Sequence, residues 1–208
     1  MRNQLLKINY NYFASMTDQA FWDNRWKQGE TGWDLKGVSP AIKLYIDSLT
    51  NKSIRILIPG CGNAYEAEYL LAQGFNQVTV IDIAPTLTEQ LIAKLKNFIE
   101  AGKLKVICGD FFEHQSTYDL ILEQTFFCAI NPNLRSNYAK HMHQLLAPTG
   151  KLVGLLFNTE FNGGPPFGGN TTEYLDYFKP YFKSINFTPS TNSIAPRAGK
   201  EVWIEIEK

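Results

Sequence analysis

The sequence predicts an α/β fold, a doubly wound and mostly parallel seven-stranded sheet preceded by a short helical segment. Short apolar runs and helical patterns alternate four times between residues 54 and 157. A glycine-rich turn follows the first of those runs, and residues 201–207 change to a period of two.

Taken in order, residues 1–16 are polar and irregular and read as a loosely held arm. Thr17-Asp18 supplies a cap for a short helix that carries Phe21, Trp22, Arg25 and Trp26 and ends near Gly29. Ser39-Pro40 starts a second helix, a cap residue followed by proline at the first helical position, with Ile42, Leu44, Tyr45, Ile46 and Leu49 as its apolar face. Ile54–Ile58 reads as a buried strand that breaks at Pro59-Gly60, and a helix over Glu66–Gln73 stops at Gly74. Gln77–Ile81 is the second strand, ending in Asp82, and Pro85 opens a helix to about Asn97. Leu104–Cys108 and Asp119–Leu122 follow as strands. A helix over 134–147 is closed by Pro148-Thr149-Gly150, ahead of a fifth strand at Lys151–Phe157. Thr171–Phe182 reads as helix and Lys183–Thr188 as extended. Val202, Ile204 and Ile206 alternate with polar or larger residues, which suits an antiparallel pair added at one edge.

Composition narrows the possible functions. The 208 residues fit one domain at roughly 100–200 residues per domain, and the 44% hydrophobic fraction fits a packed core. Twenty basic and 20 acidic side chains balance to zero, so no electrostatic footprint for nucleic acid or an anionic membrane exists. Cys61, Cys108 and Cys128 cannot form a paired framework and lack zinc-site spacing, so no metal is expected. The N-terminal residues have no secretory apolar run, and no stretch approaches roughly 18 uninterrupted apolar residues. A cytoplasmic protein is expected.

Chemistry gathers at Ile56-Leu57-Ile58-Pro59-Gly60-Cys61-Gly62-Asn63-Ala64. A glycine-rich strand-to-helix turn lets a ligand lie against bare backbone at the carboxyl edge of such a sheet. Asp82 follows Gly62 by 20 residues, where a carboxylate can accept from both ribose hydroxyls of a nucleoside. A pyrophosphate-binding motif would need a third glycine at 65, and this chain has Tyr65. Two glycines without the third fit S-adenosylmethionine, which has no phosphate. Asp110-Phe111, past the third strand, fits the adenine: the carboxylate accepts from its amino group and the ring stacks on it. Trp22, Trp26 and Trp33 fall within 12 residues, the first two on one helix face. They form an aromatic lid suited to a sulfonium cation.

Several segments together resemble a known family. They are Phe21-Trp22-Asp23-Asn24-Arg25-Trp26, Thr31-Gly32-Trp33-Asp34, Ile58-Pro59-Gly60-Cys61-Gly62, the run from Thr125 to Arg135, Gly163-Gly164-Pro165-Pro166-Phe167 and the run from Ala195 to Glu201. The chain resembles the thiopurine S-methyltransferase superfamily from about residue 20 to its end, and within it the plant halide/thiol methyltransferases called harmless-to-ozone-layer proteins. The resemblance implies a Rossmann-like class I S-adenosylmethionine-dependent methyltransferase. Residues 1–52 would be an arm and helical lid, and 53–208 the catalytic domain. It also implies that Trp22, Trp26 and Trp33 contact the methyl donor, that Gly60 and Gly62 lie against it, and that Asp82 holds the ribose. Asp110 and Phe111 would frame the adenine, and Gln124 would face the methionine end. The chain departs from the family at Asn63-Ala64, where plant members carry more glycine, and at Gln124, where tyrosine or arginine is expected.

The expected reaction is in-line transfer of methyl from a sulfonium to a thiol, hydrosulfide, thiocyanate or halide, releasing S-adenosylhomocysteine. An acceptor already ionised needs no general base, and a dry aromatic pocket favours a transition state in which the two charges cancel. Phe126, Phe127, Phe161 and Phe167 are candidates for its walls, and Arg197 for drawing in the anion. His141 and His143, two residues apart on a helix, cannot face one ligand together. The partner is a small-molecule acceptor, with no nucleic acid or membrane, and the chain a monomer or weak homodimer. The alternatives are a thiopurine-type enzyme for larger aromatic thiols and a protein that only binds S-adenosylmethionine. A nucleic-acid methyltransferase is disfavoured, because Glu123-Gln124-Thr125-Phe126 stands where an Asn/Asp-Pro-Pro-aromatic motif would follow the fourth strand.

Overall fold

The computed structural model describes residues 17–208, so the arm expected at 1–16 lies outside the described residues. The apolar runs form a sheet of seven strands: β1 (Ile56–Pro59), β2 (Val78–Asp82), β3 (Leu104–Cys108), β4 (Tyr118–Gln124), β5 (Leu146–Phe157), β6 (Ser184–Pro189) and β7 (Glu201–Glu207). Their spatial order is β3-β2-β1-β4-β5-β7-β6. The first five are parallel, and β7 runs antiparallel between β5 and β6. Because β1 lies between β2 and β4, the winding reverses there, and the carboxyl ends of β1 and β4 open a crevice for a ligand.

Alternate residues of each strand supply the two cores. Ile56, Ile58, Val78, Val80, Leu120 and Leu122 face helices α2 (Pro40–Ser48), α3 (Tyr65–Ala72) and α4 (Pro85–Lys94) through Ile42, Ile46, Leu70 and Leu91. Leu57, Ile81, Ile121, Leu152 and Ile204 face the other way, onto α6 (Arg135–Leu145) and α7 (Thr171–Phe178) through Tyr138, Met142, Tyr174 and Phe178. Helix α1 (Gln19–Gln28) sits outside the sheet and packs on α4. Its ends follow the sequence signals: Asp18 accepts from the Phe21 N–H at 2.8 Å, and Gly29 closes it at φ +70°.

Several boundaries differ from those the local pattern suggests. The helix expected from Pro85 to about Asn97 is broken at Leu95 into α4 and α5 (Lys96–Glu100), with Leu95 at φ −105°, ψ 17°. The helix expected to run to Phe182 stops at Phe178, because Pro180 offers no N–H and disfavours helix before it. Pro148-Thr149-Gly150 does not separate helix from strand; β5 already begins at Leu146, which pairs with Tyr118 across a register shift. Strand β4 runs two residues past Leu122, with the ionisable Glu123 fully buried within it. Among the described residues, no helix is long and apolar enough to cross a membrane.

Candidate active site

At the carboxyl end of β1 the chain turns through Gly60 at φ +56°, Gly62 at φ +50° and Ala64 at φ +54°. A side chain at Gly60 would place its first carbon 2.3 Å from the Phe126 ring, so only glycine fits between the turn and β4. Asp82, at the end of β2, ties this turn down: one carboxylate oxygen accepts from the Gly62 N–H at 3.2 Å and the other from Ala84 at 3.0 Å. Burial pushes its carboxyl above the usual range, and those N–H groups oppose the rise.

Asp110 caps the short helical turn Phe111–Glu113 by accepting from the Phe112 N–H at 2.8 Å. Of the two rings, Phe111 is 4% exposed and packs among Phe126, Tyr138 and His141, while Phe112 is the more open. Gln124 ends β4 with its side-chain Oε1 buried and without a hydrogen-bond partner. The turn beyond it is held by Glu123, whose Oε1 accepts from the Phe126 and Phe127 N–H groups at 2.8 and 3.0 Å and whose Oε2 accepts from the Tyr138 hydroxyl at 2.5 Å. Burial raises the Glu123 carboxyl to about 7 despite those three donors.

The three tryptophans close over this edge. Trp33 meets Trp22 and Trp26 edge to face, at 5.4 and 5.9 Å between ring centroids. Arg25 lies over the Trp33 ring at 5.5 Å. The segment is stitched to the domain: Asp23 accepts from the Thr86 N–H at 2.8 Å, and Glu66 accepts from the Ser39 N–H at 3.0 Å. Asp34 accepts from Asn63 Nδ2 at 2.8 Å and from the Tyr65 hydroxyl at 3.4 Å. Asn63, one of the two positions where the family pattern carries more glycine, thus fastens the tryptophan segment together with Tyr65.

A single cavity of about 770 Å³ is lined by Trp22, Trp26, Trp33, Gly60, Gly62, Asp82, Asp110, Phe111 and Gln124. All nine residues expected at the donor thus meet in one place. Phe126, Phe157, Phe161, Pro165, Pro166, Cys61, Cys128 and Arg197 also line it. Two acceptor candidates do not. Phe127 is 1% exposed and packs against Tyr138, Tyr174 and Phe178 beneath the Arg135 guanidinium. Phe167 is 8% exposed; its N–H bonds the Cys128 carbonyl at 2.7 Å and its ring folds against Gly164. Phe126 and Phe157 stand at the cavity instead. Phe157 closes an apolar strand and reads from sequence as core alone.

Arg197 is at the cavity, but its guanidinium is engaged by Glu201 and by the Trp33 carbonyl. Burial lifts the Cys61 thiol well above its usual range and the Cys128 thiol to about 12. His141 and His143 turn to different neighbours, Phe111 and Phe182.

The residues present fit the donor. Gly62 leaves open backbone beneath Trp26, whose ring a side chain there would only touch at 3.9 Å, a carboxylate stands at Asp82, and Gln124 keeps an orphaned acceptor.

The thiopurine S-methyltransferase family model matches residues 17–204. A probable thiol methyltransferase 2 of Arabidopsis thaliana is 33% identical over 196 residues, 92% of this chain and 86% of that protein. Thiocyanate methyltransferase 1 of Brassica oleracea is 30% identical over 194 residues, 91% and 85% of the two chains. Among solved structures, the 1,6-didemethyltoxoflavin-N1-methyltransferase of Burkholderia thailandensis, with bound S-adenosylhomocysteine, superposes with a TM-score of 0.73 over 96% of this chain and 89% of that one. At 16% identity that likeness concerns the fold. The chain belongs to the thiopurine S-methyltransferase family and is a methyltransferase whose methyl donor is S-adenosylmethionine.

Proposed function

We propose that the chain methylates a small soft nucleophile: a thiol, hydrosulfide, thiocyanate or halide. One observation carries this reading. A single cavity joins the donor-side groups to a wall of Phe126, Phe157, Phe161, Pro165 and Pro166. The names of the plant relatives, thiol and thiocyanate methyltransferase, point to the same acceptors.

When bound, S-adenosylmethionine supplies an electrophilic methyl group on a sulfonium. The chain's residues do the rest by holding and drying. Asp82 keeps lone pairs free for ribose hydroxyls while its N–H partners fix its direction. Asp110 and the Phe111–Phe112 pair frame the adenine, and Gln124 offers its unpartnered oxygen to the methionine end. Trp22, Trp26 and Trp33, packed edge to face at the cavity, would shield a bound sulfonium and exclude water. The phenylalanine and proline wall strips an arriving anion and sets its line of approach.

The carboxylates at the cavity are occupied locally. Asp18 holds Phe21, Glu30 pairs with Arg25, Asp34 holds Asn63, Asp82 holds Gly62 and Ala84, Asp110 holds Phe112, and Glu66 holds Ser39. An acceptor that arrives ionised needs none of them as base. We read residues 17–52 as the described part of the lid and 53–208 as the catalytic domain. The chain acts as a cytoplasmic monomer or weak homodimer.

A second reading, a thiopurine-type enzyme for aromatic or heterocyclic thiols, is favoured by the cavity volume of about 770 Å³. That space far exceeds the roughly 10–15 Å³ that a water-sized ion needs by the same measure. The test is S-adenosylhomocysteine release with hydrosulfide, thiocyanate, iodide, a small alkyl thiol and an aromatic thiol. Preference for the small nucleophiles supports the first reading, and preference for the aromatic thiol the second. Donor binding without turnover of any of them overturns both readings: the acceptor then lies outside the panel, or the chain binds the donor without using it.

A further inference from the structure

Arg197 lies where the tryptophan lid, the antiparallel edge and the apolar wall meet. It falls in the short helical turn Ala195–Arg197 ahead of β7. Its side chain is 11% exposed, and Nη1 lies 3.3 Å from Glu201 Oε1, on a side chain only 3% exposed. Nη2 donates to the Trp33 carbonyl at 3.0 Å, across 164 residues of sequence. The guanidinium rests on the Phe157 ring at 5.4 Å, and Phe157 is the register partner of Glu201. A cation neutralised by a buried carboxylate offers an approaching anion little net field, whereas a planar fork held on three sides is well placed to fix geometry.

What it fixes is the strap from Trp33 to Ser39. Asp34 is anchored by Asn63 and Tyr65, and the Ser39 N–H by Glu66, whose ionised form the Arg197 charge also favours. The Trp33 carbonyl is anchored by Arg197. Trp33 in turn braces both Trp22 and Trp26.

We infer that Arg197 is a positioning residue: with Glu201 as counter-ion it clasps the Trp33 carbonyl and holds the tryptophan lid over the methyl donor, rather than lending its charge to the acceptor. The inference rests on the reading of this cavity as the donor site.

The test compares the wild type with Arg197→Met, Arg197→Lys and Glu201→Gln. S-adenosylhomocysteine affinity is measured by calorimetry, and tryptophan shielding by acrylamide quenching with and without that ligand. Neither readout needs turnover. The acceptor KM is then read at saturating donor with whichever acceptor the panel turns over. Arg197→Met is expected to lose about tenfold in affinity, the scale of one hydrogen bond to a charged group, and to lose the ligand-induced shielding. Its acceptor KM changes less than about twofold, Arg197→Lys recovers part of the affinity, and Glu201→Gln weakens it in the same direction. Unchanged affinity and shielding in Arg197→Met overturn the inference alone. So does a raised acceptor KM with donor affinity intact, which would return Arg197 to the acceptor. Absence of S-adenosylhomocysteine binding by the wild type overturns the donor-site reading and the inference together. If Arg197→Met does not fold, the Lys and Gln variants decide by the same two measurements.

Discussion

Asp82 performs two tasks with one carboxylate: it accepts from two backbone N–H groups that shape the turn, and it faces the cavity. Asp82→Ala should weaken S-adenosylmethionine binding by about 1.5–3 kcal/mol, the range for hydrogen bonds to a charged group. A calorimetric isotherm matching the wild type would remove Asp82 from the donor site. Its place was legible because the spacing from Gly62 and the end of an apolar run both point to it. Phe126 and Phe127 were not separable, being adjacent, equally apolar and just past a strand. What separates them is Glu123, which binds both N–H groups and so turns one ring to the cavity and the other into the core. Arg197 was legible as a site residue but its partners were not, since Trp33 is 164 residues away in the chain.

At the level of elements, the end of β4 is governed by a buried acid. Burial raises Glu123 from its usual 4.5 to about 7, so the folded chain binds that proton more tightly than the unfolded chain does. The stability contributed by the protonated form is therefore full below about pH 4.5 and is lost as pH rises to about 7. Relative to Glu123→Gln, which has nothing to titrate there, the wild type should lose about 3 kcal/mol across that interval. Urea unfolding of both proteins at several pH values measures it, and parallel profiles would refute it. The strand's full extent was hidden because a charged residue at position 123 reads as a boundary. Arg135 was missed for a similar reason. Buried at the start of α6, it pairs with Glu173 at 2.9 Å and donates to the Phe167 and Gly168 carbonyls, fastening the loop that carries Pro165 and Pro166. Those partners lie more than 30 residues away, and local pattern reaches about one helical turn or one strand alternation.

For the whole molecule, a seven-stranded, mostly parallel sheet with an antiparallel edge was readable because strand and helix alternate regularly and the final strands change period. The lid was readable as a tryptophan cluster, but its anchors were not. A ligand that binds only the folded state raises global stability by mass action. S-adenosylhomocysteine at about 100 times its Kd should stabilise the fold by about 2.7 kcal/mol. For a chain of this size that is a rise of roughly 5–10 °C in Tm, measurable by calorimetry. No shift would mean that the ligand does not bind the folded state.

Cys61 and Cys128 also stand on the cavity wall, and burial keeps both thiols protonated at neutral pH. Only the thiolate attacks carbon readily. A methyl donor held in this cavity would thus meet two protein sulfur atoms that stay protonated and inert. With the proposed anionic acceptor, the chamber would tell its own sulfur from the newcomer by ionisation: water outside lets the newcomer keep its negative charge, and the interior denies one to the residents.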